Sequence, residues 1–393
     1  MTRINTFIEK DIQIVKLSAV ISAGRIHEFE KIQSLTTAKL IGKGTVHKSA
    51  TELDQLFDFF GASFEIDASF DDVKISLSCL KKHFFELNQI FFETIYETVF
   101  HQDEFDLLIN NRKEKLKQIL SRNDYLSDRH TGQIVFGEDH PYGYAATIQD
   151  YDNISITSVQ NFYDQHYTIE NSSFILVGDI EQAMIDFLES KIKNHNYQPI
   201  ENREYIKPIL TTEKYHQFNA PNILQSSIKI SWMSMPPNHE DFNNYSILNT
   251  ILGGYFGSRL MQQIREEKGY TYGIYSQINT MLFHTYTSIS TEINAAVIKE
   301  TIEDIKECFL ELQSKLIDED ELNLVKNYLK GEILRETDGS FRRAEAITKL
   351  KAYGLDENYF VNLLQDIENV SPKIILDTAN QYLNFELCYI VIV

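Results

Sequence analysis

The sequence predicts two tandem, homologous α+β domains, each a largely antiparallel sheet with helices packed on one face. Three observations lead to this prediction. Strands with a two-residue period and amphipathic helices occur without regular βαβ alternation, which favours helices on one side of an antiparallel sheet. The order of elements in the first half recurs in the second half, and a polar, proline-containing stretch separates the two.

The first half of the chain contains the pattern of a half-buried strand followed by amphipathic helices. Apolar and polar residues alternate from Val73 to Cys79, which is the period of a strand with one buried face. Apolar residues then recur at helical spacing over 84–95, and Asp103-Glu104 opens a long charged helix. These elements predict a sheet covered by helices.

The second half repeats this order at an offset of roughly 215 residues. It contains a Thr/Ser-rich strand at Thr285–Ile293, an amphipathic helix over 302–312, and a charged helix that Asp320-Glu321 opens. The ends match as well, since a strand at Phe174–Gly178 corresponds to one over Leu387–Val393. Two copies of one unit of roughly 190 residues therefore account for the chain.

The boundary between the copies is predicted from composition. Pro199, Pro208 and Pro221 lie in a stretch rich in charge, Asn and Gln, which is typical of a surface linker. We therefore predict a first domain over 1–195, a linker over 196–225 and a second domain over 226–393.

Composition excludes several classes of function. The chain has 393 residues, a net charge of −20 and 43% hydrophobic residues, so it can form a sizeable core. The acidic balance argues against nucleic acid or an anionic membrane as partner, since both require a basic surface. No apolar run approaches the length of a membrane helix, and the first ten residues carry charges where a signal peptide is apolar. We therefore expect a cytoplasmic protein.

Cysteine and histidine spacing gives no sign of a metal or disulfide framework. Cys79, Cys308 and Cys388 are far apart and form no CxxC, so we expect buried, reduced thiols. None of the eleven histidines is paired at i and i+4, the spacing that would place two zinc ligands on one face of a helix.

The most informative segment for chemistry is Leu252–Tyr275. It begins with Gly253-Gly254, where the backbone can approach another chain closely. A helix is predicted from about Ser258 to a stop at Gly269, with Arg265 in its last turns and Tyr272 on the strand that follows. A guanidinium could bind a peptide carbonyl here, and a phenol could donate to a developing oxyanion.

The residues alone also allow a structural interpretation of this segment. An arginine near a helix end is commonly solvated, and Tyr270, Tyr272 and Tyr275 are compatible with packing. Both interpretations stay open at this level.

The same segment resembles a signature of the M16 (pitrilysin, insulinase and mitochondrial processing peptidase) family. Other segments resemble that family in the order in which it has them, so the likeness covers nearly the whole chain. The motifs that carry the resemblance are Gly253-Gly254-x-x-Gly257-Ser258-Arg259-Leu260, Ile264-Arg265-Glu266-Glu267-Lys268-Gly269-Tyr270-Thr271-Tyr272, Leu53-Asp54, Gly61-Ala62, His140-Pro141-Tyr142-Gly143, Phe162-Tyr163, Tyr167 and Val177-Gly178-Asp179. The resemblance implies two homologous α+β domains, in agreement with the internal repeat.

The resemblance fails at the zinc site. Active members of the family carry His-x-x-Glu-His on a helix of the first domain, where both histidines bind zinc and the glutamate is the general base. At the matching positions this chain has Leu35, Ala38 and Lys39. The family's distant glutamate ligand falls near Lys117, with Glu114 as the only acid close by. We therefore expect no metal and no cofactor in this chain.

The resemblance implies that the arginine and tyrosine of the second domain are nevertheless present. Arg265 and Tyr272, seven residues apart, match the family's substrate-binding pair. In some bacterial M16 enzymes a zinc-less chain supplies this pair to a homologous zinc-bearing partner. The implied role is a non-catalytic subunit of a heterodimeric metallopeptidase, with Arg265 and Tyr272 as catalytic contributors and Gly253, Gly254, Arg265 and Tyr272 as substrate-binding residues.

Two other hypotheses remain at the sequence level. The chain could be a non-enzymatic homologue that binds peptides or serves as a structural subunit, or a self-sufficient hydrolase with a relocated metal site. The isolated chain could also form a homodimer. The sequence does not specify the peptide's length or sequence, or the partner's identity.

Overall fold

The computed structural model describes residues 3–193, 195–198, 206–221 and 224–393, and these form two compact units. Within the described residues, the first unit comprises Met1–Lys117, Ala146–Ile206 and Asp338–Ala344. The second comprises Gln118–Ala145, Lys207–Thr337 and Glu345–Val393. The predicted domain boundaries divide the chain into homologous halves and stay a prediction, since each compact unit also contains a segment from the other half.

In the part of the chain that the structure describes, the strands are β1 (Ile4–Ile8), β2 (Ile14–Ile21), β3 (Ser63–Ala68), β4 (Val73–Leu80), β5 (Ser172–Gly178), β6 (Tyr215–Gln217), β7 (Gln225–Ser234), β8 (Thr271–Thr280), β9 (Thr285–Asn294) and β10 (Tyr389–Ile392).

The α-helices of the same part are α1 (Gln33–Leu40), α2 (Ala50–Phe60), α3 (Phe84–Tyr96), α4 (Gln102–Ile119), α5 (Asn123–Phe136), α6 (Ile148–Asn153), α7 (Ile156–His166), α8 (Gln182–Ile192), α9 (Phe242–Asn249), α10 (Ile298–Ser314), α11 (Glu319–Thr337), α12 (Gly339–Lys351), α13 (Asn358–Asn369) and α14 (Pro372–Tyr382).

The sheet of the first unit has the order β1-β5-β2-β4-β3 among the described strands. Only β1 and β5 pair in parallel, and the remaining neighbours are antiparallel. Alternate residues of β4, such as Val73, Ile75 and Leu77, are fully buried against helices on one face of the sheet, as their spacing predicts. The predicted largely antiparallel sheet is therefore confirmed for this unit.

The sheet of the second unit repeats this plan with the order β6-β10-β7-β9-β8 among its described strands. Again one pair, β6 and β10, is parallel and the others are antiparallel. Ile228 and Ile230 of β7 and Ile289 of β9 point into a core shared with α9, α10, α11, α13 and α14. The strands and charged helices predicted from the internal repeat are thus present in both units.

Each unit also has a helical segment on the opposite face of its sheet, a feature that the sequence did not predict. In the second unit α5 contacts β7, where Ser127 Oγ lies 2.8 Å from Ser227 Oγ. In the first unit Ala344 of α12 packs against Ile175 and Val177, which face away from the main core. Both segments come from the half of the chain that supplies the other unit.

The predicted linker over 196–225 contains a strand, because β6 pairs with β10 through Tyr215–Gln217. Pro199 lies outside the described residues, whereas Pro208 and Pro221 lie within them. Among the described helices, none combines the length and apolarity that a membrane span requires.

The three cysteines are free and buried, which confirms the prediction of reduced thiols. Burial raises the pKa of Cys79 to about 11 and that of Cys308 and Cys388 to about 12, so the thiols stay protonated at neutral pH. Protonated, buried thiols act as small apolar side chains rather than as metal ligands.

Candidate functional site

Two short π-helical segments frame the candidate site in the second unit. Helix α9 continues into a π-helical segment at Thr250–Gly254, and a second segment spans Met261–Glu267. Gly269 then adopts a left-handed conformation, with φ of +67°, and β8 begins at Thr271. This confirms the predicted helix stop at Gly269, but the helix is largely π-helical instead of α-helical. Such segments are uncommon and often occur at functional sites.

Gly253 allows the first π-helical segment to lie directly against β8. A Cβ atom on Gly253 would come within 2.7 Å of the backbone N and Cβ of Ser276 and within 2.9 Å of Leu260 Cδ1. Gly253 is buried, and its predicted substrate-binding role stays a prediction beside this packing role. Gly254 is exposed, and a Cβ there would meet Thr250 Oγ1 at 3.2 Å.

The turn between the two π-helical segments is attached to α11 at two places. The Tyr255 ring lies 5.0 Å from that of Tyr328, measured between centroids. Arg259 donates from Nε and Nη2 to the two carboxylate oxygens of Glu321, both at 3.0 Å. Burial acts to lower the pKa of Arg259, but the hydrogen bonds and charge of Glu321 outweigh it and raise that pKa. The turn is therefore fixed on both sides of Phe256.

Arg265 lies in the second π-helical segment with its guanidinium over a phenyl ring. Its Cζ is 4.6 Å from the centroid of Phe256, a cation–π contact. Nη1 lies 3.6 Å from Glu266 Oε1, and the arginine side chain is 33% exposed. Among the described residues the guanidinium makes no hydrogen bond, so its N–H groups are available to a carbonyl oxygen.

Tyr272 lies on a β-bulge at the start of β8. The register of β8 against β9 shifts between Thr271, opposite Ile293, and Ile274, opposite Thr291. The Thr271 hydroxyl accepts from Gly273 N at 3.1 Å. The Thr291 hydroxyl donates to that of Thr271 at 2.9 Å. A bulge turns a side chain away from the direction that regular pairing would give it. The Tyr272 side chain is 94% exposed.

The structure separates the tyrosines that the sequence left ambiguous. Tyr270 packs against the hydrophobic core of the second unit, whereas Tyr272 is exposed. Arg265 and Tyr272 lie on either side of the short turn that contains Gly269, and no hydrogen bond or ring contact joins them among the described residues. The Tyr272 side chain is exposed, whereas that of Arg265 is one-third exposed.

The helix that would hold zinc in the first unit carries no ligands. On α1, Leu35 is partly buried, Ala38 is fully buried and Lys39 is exposed. Leucine and alanine have no donor atom for a metal, and the lysine ammonium repels a cation. Zinc therefore does not fit the side chains present at this position.

The position of the distant zinc ligand is likewise unsuitable. On α4, Lys117 Nζ donates to Glu114 Oε1 at 2.7 Å, and both side chains are exposed to solvent. Across the described ranges of the chain, no group of three or more His, Cys, Asp or Glu side chains is arranged to hold a metal ion.

Three contributors to the site were not identified from the sequence. Phe256 supports Arg265, Glu321 fixes the turn, and Thr291 holds the bulge. An aromatic residue within the glycine-rich run was a usable indication for Phe256. Glu321 and Thr291 are distant in sequence, and no local pattern marks them.

Comparisons with known proteins agree with the fold. A family model described as the peptidase M16 inactive domain matches residues 153–329. An uncharacterized zinc protease, YmxG, of Bacillus subtilis is 22% identical over 331 residues, covering 82% of this chain and 79% of the relative. A protein of Helicobacter pylori named non-peptidase homolog YmxG is 23% identical over 357 residues, covering 86% of this chain and 79% of that relative.

Solved structures show the same fold along nearly the whole chain. The peptidase M16 inactive domain from Pseudomonas fluorescens superposes with a TM-score of 0.88 at 20% identity, covering 99% of this chain and 95% of that one. The periplasmic protease PqqL from Escherichia coli gives a TM-score of 0.80 at 14% identity, with this chain covering 43% of its length. Residues 153–329 thus match the family model of the peptidase M16 inactive domain, and along nearly its whole length the chain has the fold of the solved M16 inactive domain.

Proposed function

We propose that this chain is the zinc-less subunit of a two-chain M16 metallopeptidase. It contributes one half of the peptide-binding chamber and supplies Arg265 and Tyr272 to the substrate. The homologous partner provides the zinc ion and the general base. The proposal places both chains in the cytoplasm and makes a peptide the substrate.

The combination of an α1 without metal ligands and two hydrogen-bond donors in the second unit, one exposed and one partly exposed, supports this proposal. Leu35, Ala38 and Lys39 cannot hold a metal, so hydrolysis by this chain alone has no activated water. Tyr272 is exposed and Arg265 is one-third exposed, and neither side chain makes a hydrogen bond among the described residues. Donors whose N–H or O–H groups are not used in hydrogen bonds within the chain are suited to a ligand.

The chemistry assigned to the pair is binding of the reacting peptide. The Arg265 guanidinium donates to a backbone carbonyl and fixes the peptide's register. The Tyr272 phenol donates to the carbonyl oxygen on which negative charge develops during attack. A hydrogen bond that is stronger to the oxyanion than to the carbonyl lowers the barrier, so Tyr272 contributes to turnover and not only to affinity.

Reconstitution with a zinc-bearing homologue tests the proposal. The purified chain is mixed with each M16 chain of the same genome that carries an intact His-x-x-Glu-His, and cleavage of quenched fluorescent peptides is followed. We expect no cleavage by either chain alone and cleavage by one mixture. Arg265→Ala and Tyr272→Phe should then lower the rate, whereas Tyr275→Phe, at a residue that is 49% exposed, serves as the matched control.

Activity that is unaltered by both Arg265→Ala and Tyr272→Phe would contradict the role given to the pair. Stoichiometric zinc in the isolated chain, with peptidase activity, would contradict the division of labour and favour a relocated metal site.

A non-enzymatic role is the second candidate, because the matching relative from Helicobacter pylori is named a non-peptidase homologue. In that case the chain would bind peptides or serve as a structural subunit without any zinc-bearing partner. A stable homodimer that binds peptides, together with no activity in any mixture, would favour this candidate.

A further inference from the structure

The geometry points to Phe256 as the residue that positions the Arg265 guanidinium for substrate binding. Its consequence for catalysis rests on the proposed function, but the contact itself is a property of this chain. Phe256 is a positioning residue here, because it acts on the peptide through Arg265.

The contact between the two side chains leaves the hydrogen-bonding edge of the arginine open. The guanidinium Cζ lies 4.6 Å from the ring centroid of Phe256. A guanidinium has five N–H donors, and its position over the ring uses none of them in a hydrogen bond among the described residues. Glu266 Oε1 lies 3.6 Å from Nη1, beyond hydrogen-bond distance. The edge can therefore donate to a peptide carbonyl.

Phe256 is a suitable platform because its backbone is fixed on both sides. Tyr255 packs on Tyr328, and Arg259 makes its two hydrogen bonds to Glu321. The turn is therefore attached to α11 both before and after Phe256. Ser258 N also donates to Tyr255 O at 3.1 Å, which closes the turn. A ring held by a fixed turn restricts the rotamers of the arginine that stacks on it.

Core packing does not account for a phenylalanine at this position. The Phe256 side chain is 58% exposed, so most of its apolar surface remains in water. A long arginine side chain loses considerable conformational entropy when a substrate fixes it. Holding the guanidinium on the ring in advance reduces that loss and strengthens substrate binding.

Arginine-selective NMR of the isolated chain tests the contact without any partner. Protons of an arginine above an aromatic face are shifted upfield by the ring current. Loss of one upfield-shifted arginine signal in Arg265→Lys assigns it to Arg265. We expect that signal to move to the unshifted position in Phe256→Leu, to remain shifted in Phe256→Tyr, and to stay in place in the control Phe59→Leu, at another exposed phenylalanine.

A double-mutant cycle in the reconstituted enzyme tests the consequence for the substrate. Phe256→Leu should lower kcat/KM by about two- to fivefold, the range that an exposed cation–π contact gives. The same substitution should have no effect in an Arg265→Ala background, whereas a purely structural role would produce the same loss there. Phe256→Tyr should retain nearly full activity because it keeps the aromatic face.

The outcomes of the two experiments are separable. An unshifted Arg265 signal in the wild-type chain, or an equal loss from Phe256→Leu with and without Arg265, overturns the inference about Phe256. If Arg265→Ala leaves activity unaltered in every mixture, the proposed function fails. The NMR result then still decides whether Phe256 positions the guanidinium.

Discussion

Arg259 and Glu321 form a bidentate ion pair that attaches the turn of the candidate site to α11, with both N–O distances at 3.0 Å. The arginine side chain is largely buried and the glutamate is about one-third exposed. A planar guanidinium donates two parallel N–H bonds to the two oxygens of a carboxylate, whereas an ammonium acts as a point charge. The pair therefore fixes the backbone that carries Phe256 and, through it, the direction of Arg265.

Replacing either partner of this pair should destabilise the second unit. We expect Arg259→Lys and Glu321→Gln each to lower the free energy of unfolding by about 1–3 kcal/mol, because the remaining partner stays partly buried without its bidentate contact. Urea denaturation measures the loss. Lys315→Met, which removes an exposed pair with Glu311, is the control and should change stability by less than about 0.5 kcal/mol. An Arg259→Lys chain that unfolds at the wild-type urea concentration would contradict the assignment.

Gly253 and Gly254 should differ sharply in their tolerance of alanine. A Cβ on Gly253 would overlap Ser276 at 2.7 Å, where backbone and a buried side chain leave no room to move. We expect Gly253→Ala to cost about 1–3 kcal/mol of stability. Gly254→Ala is the matched control, because that residue is exposed and its nearest neighbour is at 3.2 Å. Equal melting temperatures for the two variants would show that the close approach to β8 is not required.

The fold could be predicted because its signals are local and repeated. Alternation from Val73 to Cys79 requires only that one face of the strand be buried, and β4 has this pattern. The placement of α5 could not be predicted in the same way. Its buried residues include Ser127 and Thr131, which indicate no strongly apolar face and do not specify which sheet the helix covers.

The candidate site could be predicted only in part for a similar reason. The Arg265–Tyr272 spacing was recognised through a family resemblance, whereas the bulge that exposes Tyr272 depends on Thr291, in another strand. The π-helical backbone at Arg265 likewise depends on packing against β8 and α10, and no short-range propensity specifies it. Contacts distant in sequence therefore set the orientation of both proposed donors.

Removing the Thr271 hydroxyl should release the bulge and redirect Tyr272. Thr271→Val keeps the side-chain shape but leaves Gly273 N without the acceptor that lies 3.1 Å away. We expect a loss of about 1 kcal/mol in unfolding free energy and, in the reconstituted peptidase, a lower kcat. Thr280→Val, at the exposed end of β8, is the control. If Thr271→Val reduced stability but not kcat, the bulge would have no part in positioning Tyr272.

The purified chain should hold no stoichiometric zinc. Side chains on α1 offer no donor at positions 35 and 38 and a cation at position 39, so metal binding there is unfavourable. We expect elemental analysis to give far less than one zinc per chain. We also expect EDTA to leave the melting temperature unchanged, because a ligand bound to the native state would stabilise it. A fall in melting temperature on chelation would indicate a structural metal and contradict this prediction.

Lys229 should make the stability of the second unit depend on pH in the alkaline range. Its side chain is only 17% exposed, on the face of β7 that α5 covers, and its ammonium pairs with Asp128. Burial lowers the pKa of Lys229 to about 8, and the charge of Asp124 offsets only part of that shift. In the unfolded chain a lysine has a pKa of about 10.4.

The direction of the pH dependence follows from the pKa of Lys229 in the native chain and that of a lysine in the unfolded chain. Below pH 8 both states are protonated, so folding buries a charge and its cost is present in full. Between about pH 8 and 10.4 the unfolded chain binds more protons than the native one, so stability rises with pH. Above that range Lys229 is neutral in both the native and the unfolded chain, so folding no longer buries a charge.

Lys229→Met should therefore be more stable than the wild type at pH 7, by an amount of the order of 2 kcal/mol. That advantage should shrink to nearly zero by about pH 10.5. Urea denaturation of both chains from pH 7 to 10.5 measures the difference. Lys117→Met is the control, since it removes an exposed ion pair on α4 and should show no such trend. A constant difference between Lys229→Met and wild type across this range would mean that the buried ammonium does not titrate there.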